Sequence, residues 1–234
     1  MQEQSYQSSL KPESLSNILC IFTLFSSTLE LNQKNYQLKR PTMKVHDSGM
    51  PEEEYWNSLF DIPTIVHWLN VKSISGPIVE VGCGYGTFTL PVAKEVTEDV
   101  LAFDIEPAMI ETTQRHVSEA GFHNVQFFQR DIIDQGTGLD SDSVGMVFLF
   151  NILHFAERRI MFEEANRILK PSGKIAIIHW RRDIATPRGP AIPLRPDKQM
   201  IIDAMTGLDL SLDGNDRNLE PYHWGIQLIK GKKK

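Results

Sequence analysis

The stretch PIVEVGCGYGT, residues 77–87, joins a short apolar run to a turn with three alternating glycines. The run Pro77–Gly82 is rich in β-branched residues and has the length of a strand buried in a sheet. The segment Gly86–Val96 that follows it has helical character. Glycine has no Cβ and adopts positive φ angles, so a ligand can lie against the backbone of such a turn. The stretch therefore predicts a strand, a turn that can bind a ligand, and a helix.

Strand and helix candidates alternate along the rest of the chain. Further strands are predicted at Val100–Asp104, Val125–Gln129, Val144–Asn151, Lys174–Trp180 and Tyr222–Ile229. Helices are predicted at Pro107–Ala120, Ala156–Leu169 and Lys198–Met205. Alternation of this kind is typical of βαβ units, in which helices cover both faces of a mostly parallel sheet. We expect an α/β domain with a doubly wound, mostly parallel, seven-stranded Rossmann-like sheet, and the pattern locates six of its strands.

The composition divides the chain into four segments. Residues 1–42 are rich in Ser, Gln, Asn and Leu and are expected to form a poorly ordered N-terminal extension. Residues 43–74 are expected to form auxiliary N-terminal helices, with Pro63 separating two of them. The sheet domain is expected over residues 75–230, and residues 231–234 form a basic tail.

The charge and the cysteine content exclude several classes of protein. Thirty acidic residues against twenty-four basic ones give the 234-residue chain a net charge of −6, which disfavours nucleic acid as a partner. Two cysteines cannot form a disulfide framework, and no Cys/His spacing resembles a zinc site. The most apolar run, Ile18–Phe25, is too short to span a bilayer. A cytoplasmic enzyme is the expectation.

Acidic residues accompany the first three predicted strands. Asp104 ends the second strand, a position suited to binding ribose hydroxyls. Asp131 follows the third strand, and Glu80 lies within the first. A nicotinamide-binding loop of the form G-x-G-x-x-G would place glycine where this chain has Thr87. The pattern therefore departs from that of nicotinamide-dependent oxidoreductases.

Together, Glu80, the three glycines, Asp104 and Asp131 resemble the first three sequence motifs of class I S-adenosylmethionine-dependent methyltransferases. The run LKPSGK, Leu169–Lys174, resembles the L-K-P-G-G turn that precedes the fifth strand in that superfamily. The similarity covers most of residues 75–180, with the motifs in the expected order.

The resemblance implies a role in binding S-adenosylmethionine for each matching residue. Asp104 would hold the ribose hydroxyls, and Ile105 would flank the adenine. Asp131 would accept from the adenine amine, while the backbone N–H of Ile132 reaches a ring nitrogen. Glu80 would fix the turn and face the ammonium group of the methionine part. The backbone of the turn would receive that methionine part at Gly82, Cys83, Gly84 and Gly86.

The segment after the fourth predicted strand, FNILHF, bears on the methyl acceptor. It lacks the N/D-P-P-Y/F/W sequence and the Pro-Cys pair of two classes of nucleobase methyltransferase, which disfavours both. The pair Leu153-His154 resembles one found in small-molecule enzymes, including the ubiquinone/menaquinone-biosynthesis-like branch. His154 is a candidate general base or, alternatively, a structural histidine. Asn151 is a candidate for orienting cofactor and acceptor in the cleft.

Basic residues are concentrated after the fifth predicted strand. His179 lies at the end of that strand, and Arg181 and Arg188 follow in a loop rich in Pro and Arg. These three residues are candidates for binding an anionic acceptor, because guanidinium groups suit carboxylate and phosphate. The alternative is a solvated loop that balances an acidic chain.

The sequence predicts a methyltransferase that moves a methyl group from S-adenosylmethionine to a small organic acceptor. Methyl transfer is an in-line displacement that needs mainly proximity and orientation. No metal is expected, because no acidic cluster resembles a catechol-type magnesium site. The alternatives are a non-catalytic S-adenosylmethionine-binding protein and a nicotinamide-dependent oxidoreductase. The accepting atom, C, N, O or S, stays open, as does the oligomeric state.

Overall fold

A computed structural model describes residues 50–232, whose strands form one eight-stranded sheet. The strands are β1 (Ile78–Val81), β2 (Val100–Asp104), β3 (Val125–Gln129), β4 (Val144–Phe150), β5 (Leu169–Trp180), β6 (Leu210–Leu212), β7 (Arg217–Leu219) and β8 (His223–Lys230). The helices are α1 (Glu53–Asn57), α2 (Ile62–Leu69), α3 (Thr89–Glu95), α4 (Pro107–Glu119), α5 (Ile132–Gln135), α6 (Arg159–Ile168) and α7 (Lys198–Met205). The predicted extension at residues 1–42 lies outside the described residues, as do residues 43–49 and the last two residues of the basic tail.

The sheet has the strand order β3-β2-β1-β4-β5-β8-β6, with β7 also paired to β8. Strands β1 to β5 are parallel, and β8 runs antiparallel to β5. The predicted doubly wound α/β fold is confirmed, although the sheet has one strand more than the seven predicted. The short strands β6 and β7 were not located from the sequence, because three residues are too few for an alternating pattern to be recognised.

Helices cover both faces of the sheet, as predicted. Adjacent residues of the central strands enter different hydrophobic clusters, as Ile78 and Val79 do on β1. Helices α1, α2 and α3 pack their residues into the cluster of Ile78, and α5, α6 and α7 pack into the cluster of Val79. All residues of β1, β2 and β4 are buried, which explains their continuous apolar sequences.

Strand β1 marks the point at which the chain reverses its direction of winding. It pairs with β2 on one side and with β4 on the other. In open α/β sheets, ligands bind beyond the carboxyl ends of the strands at such a switch point. The segments after β1, β2 and β4 are therefore the ones that the fold offers to a ligand.

The predicted turn at Ser172-Gly173 lies within β5 rather than before it. Val144 pairs with Leu169 and Met146 with Lys174, so the residues between Leu169 and Lys174 bulge from the ladder. The strand therefore begins five residues earlier than predicted. Gly145 stands opposite this bulge. A Cβ at Gly145 would lie 2.6 Å from the carbonyl oxygen of Ser75, so the backbone leaves no space for a side chain.

The predicted helices of the sheet domain exist: α4 and α7 begin at the predicted residues, and α3 and α6 begin three residues later than predicted. Helix α3 begins at Thr89 rather than Gly86, because the glycine turn extends to that point. Two N-terminal helices are present, and Pro63 lies in the first turn of α2 after the capping residue Asp61. Within residues 50–232, no helix is long and apolar enough to cross a membrane.

Candidate functional site

The backbone conformation of the turn after β1 requires glycine at three positions. Gly82, Gly84 and Gly86 have φ angles of 77°, 55° and 81°, which L-residues rarely adopt. The N–H groups of Gly82 and Cys83 donate to the carbonyl of Phe103 on β2, at 2.8 and 3.0 Å. The turn is thereby held at the carboxyl end of the neighbouring strand.

Gly86 also has no space for a side chain. A Cβ there would lie 2.6 Å from Cδ1 of Leu90 and 2.9 Å from Cγ2 of Thr113. The hydroxyl of Thr113, on α4, donates to the carbonyl of Gly84 at 2.7 Å. Thr113 was not among the predicted site residues, because its partner is 29 positions away and no local pattern marks the contact. Helix α4 thus fixes the turn together with β2.

Asp104 ends β2 and links it to the glycine turn. Its Oδ2 accepts from the N–H of Gly84 at 2.9 Å, and its Oδ1 accepts from the N–H of Glu106 at 3.0 Å. Burial raises the pKa of this carboxyl, although the backbone hydrogen bonds oppose that effect. The structure therefore joins the acid and the turn that were predicted to share one ligand. The contact of Asp104 with ribose hydroxyls stays a prediction.

Glu80 lies fully buried on β1. The hydroxyl of Thr89, on α3, donates to its Oε2 at 2.5 Å. Burial raises the pKa of the Glu80 carboxyl to about 8. At neutral pH the carboxyl is mostly protonated, and a cation placed beside it would favour the ionised form. Glu80 thus connects β1 to α3, and its contact with an ammonium group stays a prediction.

Asp131 begins helix α5, directly beyond the end of β3. Its Oδ1 accepts from the N–H of Ile133 at 2.9 Å and from that of Asp134 at 3.3 Å, which caps the helix. Ile132 is buried and packs into the core beneath the sheet. The predicted contacts of Asp131 and Ile132 with adenine are not tested by this geometry.

Cys83 and Ile105 complete the predicted cofactor set. The Cys83 thiol is buried, and burial raises its pKa, so the reactive thiolate is disfavoured. Ile105 is partly exposed directly after Asp104. Across residues 50–232, no three His, Cys, Asp or Glu side chains form a group that could hold a metal ion.

Asn151 follows β4 in a left-handed conformation with a φ of 57°. Its N–H donates to the carbonyl of Ile178 on β5 at 2.8 Å, which fixes the backbone. Its side-chain Oδ1 is buried and has no hydrogen-bond partner. Strained residues with unpaired polar atoms are concentrated at functional sites, and this one lies at the switch point.

His154 lies three residues further on. Its Nδ1 is 3.1 Å from the carbonyl oxygen of Asn151. Because a carbonyl only accepts, Nδ1 carries the hydrogen and Nε2 keeps a lone pair. Burial lowers the pKa of His154, so the ring is neutral at pH 7. Nε2 can therefore accept a proton, as the predicted role of base requires.

The predicted acceptor-binding residues have different surroundings. His179 is fully buried near the end of β5, with its ring centroid 6.1 Å from that of His154. Arg181 instead forms ion pairs with Asp183 at 2.8 Å and with Glu220 at 2.9 Å, so two carboxylates balance its charge. The structure thus places His179 beside the candidate base and gives Arg181 protein partners.

Arg195 belongs to the basic segment that the sequence indicates after the fifth strand, but its side chain is buried. Its guanidinium donates to the carbonyls of Arg181 at 2.6 Å, Pro190 at 2.8 Å and Arg188 at 3.3 Å. These bonds hold the loop over residues 181–197, which includes the predicted residue Arg188. No motif marks such contacts, because backbone carbonyls of any residue type can accept them.

Comparison with known proteins relates the sheet domain to a family. Residues 78–173 match a family described as a methyltransferase domain. The matched segment is thus similar to a methyltransferase domain, in agreement with the motifs of class I S-adenosylmethionine-dependent methyltransferases. The match supports S-adenosylmethionine as the cofactor, as the sequence motifs implied. The match covers the glycine turn, Asp104, Asp131 and the end of β4.

Curated relatives are similar over parts of this chain. A methyltransferase-like protein of Schizosaccharomyces pombe is 27% identical over 150 residues, which cover 64% of this chain and 55% of that protein. A 23S rRNA (uracil(1939)-C(5))-methyltransferase of Shewanella sediminis is 34% identical over 67 residues, or 29% of this chain and 15% of that protein. The chain thus spans about half of the first relative and a small part of the second.

Solved structures share the fold. A SAM-dependent methyltransferase from Aquifex aeolicus superposes with a TM-score of 0.65 at 21% identity. The superposition covers 74% of this chain and 90% of that one. The methyltransferase fold therefore extends beyond the residues that match the family model.

Proposed function

We propose that the chain is an S-adenosylmethionine-dependent methyltransferase that acts on a small organic acceptor. The observation that carries the proposal is the meeting of the glycine turn, Asp104 and Asn151 beyond β1, β2 and β4, at the switch point. The net charge of −6 disfavours a nucleic acid as the acceptor. An acidic chain with two cysteines also suits the cytoplasm.

The residues at the switch point fit the cofactor chemically. The open backbone of the glycine turn would receive the methionine part, and Asp104 the ribose hydroxyls. Asp131 and the N–H of Ile132 would bind the adenine. The buried Oδ1 of Asn151 has no partner, and an ammonium group would supply the hydrogen-bond donor that it lacks.

S-adenosylmethionine supplies an electrophilic methyl group on a positively charged sulfur. The chain supplies position and, where the acceptor must lose a proton, a base. Asn151 and His154 follow β4 at the switch point, so they would orient the acceptor toward the methyl group. His154 would take the proton on Nε2, because Nδ1 is bonded to the Asn151 carbonyl.

Calorimetric titration with S-adenosylhomocysteine and with NADH tests the proposal. The variants are Asp104→Ala and, as a matched control, Asp99→Ala, which removes an exposed acid from the other end of the β2 region. We expect the wild type and Asp99→Ala to bind S-adenosylhomocysteine but not NADH, and Asp104→Ala to lose at least tenfold in affinity. Absence of binding by the folded wild type would contradict the proposal.

The same titration separates the two alternatives. Binding of NADH in place of S-adenosylhomocysteine would favour an oxidoreductase. A non-catalytic protein would bind S-adenosylmethionine but transfer no labelled methyl group to any compound in a panel of hydroxyl, amine, thiol and carbon acceptors. Transfer to one class of acceptor supports an enzyme and identifies the accepting atom.

A further inference from the structure

Unpaired buried polar atoms are concentrated at one end of the sheet. Six buried side-chain nitrogen or oxygen atoms within residues 50–232 have no hydrogen-bond partner, and five of them belong to Asn151, His179 and His223. Asn151 follows β4, His179 lies near the end of β5, and His223 begins β8, which runs antiparallel to β5. An unpaired buried polar atom costs about 1–3 kcal/mol, and the two nitrogens of His179 have no partner, so they point to a polar ligand on the face of β5 that His154 shares.

The position of His154 shows where that ligand would enter. Asn151 and His154 are partly exposed, and His179 is fully buried behind them. The rings of His154 and His179 are edge-on, with centroids 6.1 Å apart. An oxygen atom bound between the two rings would lie within hydrogen-bond distance of a nitrogen on each, provided that His154 turns aside to admit it, because the nitrogens of His179 are enclosed. A hydroxyl suits the pair, because it donates one hydrogen bond and accepts another.

The charge of Arg195 determines which hydroxyl suits this place. The three hydrogen bonds of its buried guanidinium go to carbonyls and none goes to a carboxylate. Burial, with a smaller contribution from Arg195, lowers the pKa of His179 and of His223, so both rings are neutral. Asn151 and His154 are uncharged as well. The buried positive charge therefore favours an oxygen that becomes negative and disfavours a cationic amine.

We propose that the methyl acceptor carries a phenol or enol hydroxyl, which binds between His154 and His179 and is methylated at its oxygen. This inference rests on the proposed function. The acceptor oxygen forms the new bond to the methyl carbon with a lone pair. The carbon–sulfur bond breaks, its electron pair stays on sulfur, and the hydroxyl proton goes to Nε2 of His154. A thiol would fit less well, because sulfur is a weak hydrogen-bond partner.

A chromogenic phenol tests the inference without turnover. The probe is 4-nitrophenol, whose phenolate is yellow, added to protein saturated with unreactive S-adenosylhomocysteine in mildly acidic buffer. We expect the bound probe to show about a tenfold higher phenolate-to-phenol ratio than the free probe, which corresponds to one pKa unit. The comparison ligand 4-nitroaniline has no acidic hydroxyl and is expected to bind at least tenfold more weakly.

Variants locate the effect within the protein. His179→Phe removes the two unpaired nitrogens and keeps a buried ring, so it is expected to fold, to bind S-adenosylhomocysteine and to lose the ionisation of the probe. His154→Gln is expected to weaken binding of the probe in the same assay. The control His123→Phe removes an exposed imidazole from the loop before β3 and is expected to behave as the wild type.

The outcomes separate this inference from the proposed function. If S-adenosylhomocysteine binds but 4-nitrophenol does not, or binds without a change in its ionisation, the phenol or enol assignment is overturned and the methyltransferase proposal stands. Equal binding of 4-nitroaniline also overturns the assignment, and an unchanged signal in His179→Phe overturns the role of that residue. Failure of S-adenosylhomocysteine itself to bind contradicts the proposed function.

Discussion

Two neighbouring regions at the carboxyl end of the parallel strands, called the cofactor edge and the acceptor edge, differ in how their polar side chains are hydrogen-bonded. At the cofactor edge, beyond β1, β2 and β3, the side chains of Glu80, Asp104 and Asp131 all accept hydrogen bonds from the protein. At the acceptor edge, beyond β4 and β5 and before β8, side-chain atoms of Asn151 and His179 are buried without partners.

The difference indicates two kinds of preorganisation. Internal hydrogen bonds build the cofactor edge, so its shape exists before a ligand arrives and contributes to folding. The acceptor edge leaves polar atoms unpaired, which costs stability that a ligand with matching groups can recover. Loss of a hydrogen bond or of a glycine at the cofactor edge should therefore lower stability, whereas replacement of an unpaired group at the acceptor edge should raise it.

The largest effect is expected from Gly86→Ala. Its Cβ would approach Leu90 and Thr113 to less than 3 Å in a strained backbone conformation, so we expect a loss of about 4 kcal/mol in the free energy of unfolding. The matched control is Gly121→Ala, where φ is also positive at 74° but no atom lies within 4 Å. Urea unfolding should show a loss of only about 1 kcal/mol there. Equal losses would refute the packing explanation.

The pH dependence of stability should identify Glu80. Burial raises its pKa from 4.5 to about 8, so the folded state binds this proton more tightly than the unfolded chain. Its stabilising contribution is complete below pH 4.5 and is lost as the pH rises toward about 8. Glu80→Gln keeps an acceptor for Thr89 and should remove this loss, on the order of 5 kcal/mol.

Urea unfolding of the wild type and of Glu80→Gln across this pH range measures the difference. The variant Glu119→Gln, at an exposed position on α4, serves as the control and should follow the wild type. Parallel profiles for Glu80→Gln and the wild type would show that Glu80 ionises normally in the folded protein.

A smaller pair of effects compares the two edges directly. Thr113→Val leaves the carbonyl of Gly84 without its donor and should cost about 1 kcal/mol. His223→Phe removes two unpaired nitrogens from a ring that stacks on Phe60 and should add about 1 kcal/mol. Thermal unfolding of both variants checks the opposite signs, and destabilisation by His223→Phe would remove the contrast between the edges.

The sequence located the features whose structure depends on residues close together in the chain. The glycine turn and Asp104 could be located because positive φ angles and strand ends leave recognisable patterns. The contact of Thr113 and the burial of Arg195 could not, because their partners are backbone carbonyls and any residue provides a carbonyl. Arg181 was a reasonable candidate by charge, but its partner Glu220 lies 39 positions away and only the fold brings the two together.

A crystal structure of the protein with S-adenosylhomocysteine tests the central claim most directly. We predict the ribose hydroxyls at Asp104, the methionine part against the glycine turn, and the sulfur facing Asn151 and His154. The groove of about 520 Å³ between α2 and α3, lined in part by Val66 and Pro91, offers a different location. Ligand bound there, or anywhere away from the carboxyl ends of β1, β2 and β4, would contradict the assignment of the site.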